Sequence, residues 1–111
     1  MSRFDDVKAA LRGEFLALAG GRAAAMRALL ARLDAAPGDD EALAELQLAF
    51  HNFAGSGATY GFPELSRPGG LGERWCQEHR GHALDDGERR AVRLLFERVT
   101  ELLAAEERSA S

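Results

Sequence analysis

Apolar positions in this chain recur every third or fourth residue and hardly ever every second, which is the period of helices and not of strands. A first helix is expected from about Arg3 to Ala19, with Gly20-Gly21 as a natural break. A second runs from about Arg22 to Asp34 on the stripe Met26, Leu29, Leu30 and Leu33, and Pro37-Gly38 closes it. Because a glycine pair can bend a helix without ending it, one long kinked helix is the alternative for this region. The next helix begins at Asp39 or Asp40, either of which can cap free N–H groups, and ends near Tyr60-Gly61. The last starts at Asp85 or Asp86 and carries Val92, Leu95, Phe96, Val99, Leu102 and Leu103, with fraying expected from Glu106 to Ser111.

Between these lies PELSRPGGLGERWCQEH, where pattern and propensity disagree. Pro63 suits a helix start. In a helix interior, however, proline costs about 3 kcal/mol and glycine about 1 kcal/mol relative to alanine, and Pro68, Gly69, Gly70 and Gly72 follow closely. The reading is a turn or two of helix, a break near residues 67–72, and helix resuming toward Trp75; an irregular loop up to Gly70 is the alternative. The whole chain, 1–111, is then read as one all-α domain, an antiparallel up-and-down four-helix bundle with that broken segment.

Composition supports the helical reading. Isoleucine is absent and valine occurs only at 7, 92 and 99, while Ala, Leu, Glu and Arg dominate. The formal charge of −4 argues against nucleic acid as a partner, which calls for a basic face. The first ten residues hold no apolar leader run, and no stretch approaches the roughly 18 apolar residues that would cross a bilayer. A single cysteine, Cys76, cannot form an internal disulfide. A reducing cytoplasm is the expected location, with no membrane association.

On the helix that follows Asp40, steps of about 100° gather Leu43, Leu46, Phe50, Phe53 and Gly57 on one side, the expected core face. His51 falls well away from it, among Ala44, Gln47, Leu48, Gly55 and Ala58. A histidine set in small and apolar residues on an open helix face suits group transfer between proteins. Imidazole is a nucleophile near neutral pH, Gly55 one turn later lets a partner backbone approach, and Leu48 offers apolar docking area. The bland reading, a surface histidine without a role, is the commoner outcome for such a residue on geometry alone.

The run AFHNFAGSGATYGFPELS resembles the signature of histidine phosphotransfer domains of bacterial phosphorelays. His51 matches the phosphoacceptor, Phe53 the apolar core position, Gly55 the close-approach glycine, Ser56 the small residue after it, and Gly61-Phe62 the turn that ends the helix. The resemblance extends over about residues 12–105. It implies a four-helix bundle that exchanges a phosphoryl group with the aspartate of a receiver domain, without autokinase activity. No cofactor is then expected on this chain, and the magnesium ion belongs to the receiver. A response-regulator receiver is the implied partner, with a hybrid histidine kinase as a second one. The chain departs from the family where a lysine is usual: Ala54 stands there, which leaves phosphate charge to the partner or to an arginine such as Arg67. It departs again at RPGGLG, residues 67–72, which puts Arg74 and Trp75 off their usual surfaces.

Two other readings compete. One is a helical module that docks on receivers or other signalling proteins without turnover. The other is a small enzyme using His51 as a base, disfavoured because no Asp, Glu, Ser or Cys lies at i±4 on the open face to orient it. Cys76, His79 and His82, three apart, supply too few ligands for a zinc site. Trp75 reads as packing, and Gly55-Ser56-Gly57 lacks the strand and the Lys-Ser/Thr of a phosphate-binding loop.

Overall fold

The structure, a computed structural model, describes residues 2–110. It contains four helices: α1 (Arg3–Ala35), α2 (Asp40–Thr59), α3 (Pro63–Glu78) and α4 (Asp86–Ala110). They pack antiparallel in a ring, each touching the helix before and after it, with α4 closing back on α1. No strand occurs among the described residues. The core runs down the middle: Phe15, Met26, Leu30 and Leu33 from α1, Leu43, Leu46, Phe50 and Phe53 from α2, Leu65 and Cys76 from α3, and Val92, Phe96, Val99 and Leu103 from α4.

Caps fix the helix ends. The Ser2 hydroxyl accepts from the Asp5 N–H at 3.1 Å, and Asp5 and Asp6 place negative charge at the positive end of α1. Asp39 caps α2 by accepting from the Ala42 N–H at 3.0 Å. Asp85 caps α4 in a reciprocal box: the Glu88 N–H donates to its carboxylate at 2.7 Å, and its own N–H donates to Glu88 at 3.0 Å. Gly61, at φ 84°, ends α2 in the left-handed region, which lets the Phe62 N–H reach back to the Gly57 carbonyl at 2.6 Å. The Asp40 carboxylate accepts from Arg80 and from the Gly81 N–H, and these bonds hold its pKa down at about 2 while pinning the end of α3 to the start of α2.

Two expectations from the sequence need correction. The chain does not break at Gly20-Gly21; of the two readings the alternative, a single helix, holds, and α1 runs for 33 residues. Ala19, Ala23 and Met26 bury on both sides of the glycine pair, and a cost of about 1 kcal/mol per glycine does not outweigh burying that face. Nor is there a break or loop at residues 67–72, since α3 is continuous through Pro68. The reason is tertiary. A Cβ on Gly69 would lie 2.8 Å from the Ala54 nitrogen, and one on Gly72 would lie 2.3 Å from the Phe50 ring. These glycines allow α3 to approach α2 more closely than any other residue type would, and the contact so gained offsets their poor helix propensity. Pro68 gives up one intrahelical bond but is itself buried. The last helix, α4, extends to Ala110, and Arg12 of α1 pairs with Glu106 at 3.1 Å; Ser111 lies outside the described residues.

Candidate functional site around His51

The stripe on α2 lies where its periodicity puts it: Leu43, Leu46, Phe50, Phe53 and Gly57 are all buried. That orientation turns His51 outward, and its side chain is 61% exposed. The ring is nonetheless held. Its Nδ1 lies 3.0 Å from Oε1 of Glu73, on the adjacent helix α3. A carboxylate can only accept, so the Nδ1 nitrogen carries the proton, and the lone pair of the neutral ring sits on Nε2.

Glu73 was not visible in the helical periodicity around His51. No acid lies at i±4 of His51, yet α3 supplies one from 22 positions away. The signal was hidden by the expected break at 67–72. Once α3 is continuous, Gly69 and Gly72 face α2, and Glu73 falls beside them at the edge nearest His51. Ser66 occupies the same edge and donates its hydroxyl to the Ala54 carbonyl at 2.8 Å, locking the two helices together.

The other sequence-predicted residues fall in three places. Leu48 is exposed and Gly55 faces open space, with no heavy atom within 4 Å of where its Cβ would stand. Gly55, Ser56, Asn52, Thr59 and Tyr60 line a shallow hollow beside His51. Ala58 is exposed on the same helix face, one turn beyond Ala54. Gln47 and Ala54 are half-buried toward α3. Among the described residues, the Gln47 Oε1 is buried without a hydrogen-bond partner. Arg67 is exposed on the outer side of α3, where it borders a groove with Leu71 and Arg98, and it does not line the hollow at His51. Arg74 lies on the open face of α3 with Glu73 and Gly70, and Trp75 is half-buried, its ring stacked on His79 at 4.0 Å.

The second histidine group is organised differently. His79 Nδ1 donates to the Trp75 carbonyl at 2.7 Å, and His82 contacts Glu88 at 3.1 Å. Cys76 is fully buried, which pushes its thiol up to about 12. Among the described residues no set of three or more His, Cys, Asp or Glu side chains is arranged to hold a metal ion. No described helix is long and apolar enough to cross a membrane.

No family model matches this chain, and neither the curated proteins nor the solved structures contain a match to it. The four-helix bundle is consistent with the architecture of phosphotransfer domains.

Proposed function

We propose that this chain is a phosphorelay intermediate that accepts a phosphoryl group on His51 from a receiver-domain aspartate and passes it to another receiver. The observation that carries the reading is the state of His51: outward-facing, flanked by open space at Gly55, and fixed through Nδ1 by Glu73. With Nδ1 protonated, Nε2 is the nucleophile. It attacks phosphorus as the bond from phosphorus to the aspartyl oxygen breaks, and the carboxylate leaves with the electron pair. No proton needs to depart. The ring gains positive character as the N–P bond forms, and the Glu73 carboxylate stabilises it across the Nδ1–H. Transfer onward is the reverse, with a second aspartate attacking phosphorus.

This chain supplies the nucleophile, its orientation and an approach surface of small residues. The receiver supplies its aspartate and the magnesium that neutralises the phosphoryl oxygens. A cytoplasmic site, a hybrid histidine kinase as upstream partner and the absence of autokinase activity belong to the same reading. One feature favours a docking module without turnover: Ala54 occupies the usual lysine position and leaves no cation there.

The two readings separate on incubation with a phosphorylated receiver carrying radiolabel. The native chain is expected to take up label in an acid-labile, base-stable form, as a phosphoramidate does. His51→Gln is expected to take up none while keeping its helical content, since the side chain is not in the core. Label retained by that variant would place the chemistry on another residue. No label on the native chain with any receiver would favour the docking module.

A further inference from the structure

The residues before Phe15 on α1 are all exposed: Lys8, Leu11 and Arg12 border a shallow hollow with Thr59, Tyr60 and Gly61 at the end of α2, and the helix continues past them as an overhang to Arg3. This overhang is not polar. Phe4, Val7 and Leu11 are 70%, 52% and 40% exposed, and helical steps place all three within one narrow stripe. A second uncovered apolar surface lies at the same end of the bundle. It is an open groove of about 560 Å³ between α3 and α4, with Pro63, Pro68, Leu71 and Leu102 along its floor and Arg67 and Arg98 at its edges. Leu71 is 47% exposed there.

We propose that the groove of one copy receives the α1 overhang of a second copy, and that the exchange is reciprocal about a two-fold axis. Length is the first argument. At 1.5 Å per residue, Phe4 to Leu11 and Pro63 to Leu71 each span two turns, on the order of 11 Å. Charge is the second. Along α1 an acid is followed three residues later by a base, Asp5 then Lys8. Along the groove edge of α3 the same order recurs at the same spacing, Glu64 then Arg67. Only an antiparallel alignment sets Asp5 against Arg67 and Lys8 against Glu64; a parallel one sets like charges together. None of these four side chains has an ion-pair partner among the described residues.

Symmetry is the third argument. Within the bundle α1 runs parallel to α3, two helices on in an antiparallel ring. A two-fold axis across the bundle reverses it, which gives the antiparallel alignment the charges require. Because both surfaces belong to one chain, each contact is made twice. A single two-turn helix contact falls short of the roughly 1,200–2,000 Å² of a stable interface, and reciprocity doubles it. His51 faces the α2 side and stays open, so this inference stands apart from the phosphotransfer reading.

The test is sedimentation of the full chain from micromolar to millimolar concentration. The native protein is expected to reach a dimer. Leu11→Glu and Leu71→Glu, both at exposed positions, are each expected to leave a helical monomer. Asp5→Arg and Arg67→Asp are each expected to weaken the dimer at least tenfold, and the two combined in one chain are expected to restore it. A native monomer at every concentration would overturn the proposal. So would a Leu71→Glu dimer as strong as the native one, which would mean that the overhangs pair with each other. Failure of the combined charge variant to recover would overturn the alignment.

Discussion

At the scale of single residues, the proposed phosphotransfer role rests most on the pairing of His51 with Glu73, which would direct a surface imidazole as a nucleophile. Both groups are partly solvated, with 61% and 30% of their side chains exposed. Screening therefore limits what the carboxylate contributes, and exposed pairs typically yield about 0.2–1 kcal/mol. Glu73→Gln keeps an acceptor for Nδ1–H and removes the charge. The expected outcome is a severalfold fall in the equilibrium fraction of phosphorylated protein, smaller at high salt, with an unchanged melting temperature. An equilibrium that did not move would make Glu73 a bystander. The histidine itself was legible from sequence, because the α2 stripe fixes which side of the helix faces out. Its carboxylate partner was not, because the contact joins two helices and no local period encodes it.

At the scale of elements, α3 shows how tertiary contact overrides local preference. Pro68, Gly69, Gly70 and Gly72 read as a break when each is judged by its own propensity. In the structure Gly69 and Gly72 sit where α3 touches the backbone and the Phe50 ring of α2, while Gly70 faces open space. The four residues therefore differ in role, and paired substitutions should reveal it. Gly70→Ala is expected to stabilise the protein by about 1 kcal/mol through helix propensity alone. Gly72→Ala places its Cβ 2.3 Å from a fully buried aromatic ring and is expected to destabilise by about 1–3 kcal/mol as the core overpacks. Chemical denaturation of the two variants checks both signs. Equal effects would mean that the helices are not held as closely as described. The end of α2 is the opposite case: Gly61 carried its signal in sequence, since a left-handed turn after a helix is a local requirement.

At the scale of the molecule, the bundle and the core positions of α2 and α4 followed from period and composition, because burial of one face sets both. The unbroken run of α1 was only the alternative reading, since nothing local says that the bundle grips it on either side of Gly20-Gly21. Cooperative burial also makes Cys76 a reporter. Its thiol is fully buried, with burial raising its pKa from 9.0 to about 12. A disulfide reagent at pH 8 is expected to modify it only as fast as the bundle opens, and at once in denaturant. The sign of the linkage follows from the same shift. The neutral thiol favours the fold fully below about pH 9, and this contribution is lost as pH rises toward 12, where the unfolded chain ionises first. Rapid modification of the native protein would contradict the packing of α3.

The central claim is that His51 carries a phosphoryl group on Nε2 while Glu73 holds Nδ1. Nitrogen–phosphorus correlation spectroscopy on ¹⁵N-labelled protein, phosphorylated by a receiver, tests it most directly. The account predicts a single adduct on the His51 ring, with phosphorus coupled to Nε2 and the Nδ1 proton still present. Phosphorus on Nδ1, on His79 or His82, or on no histidine would contradict it.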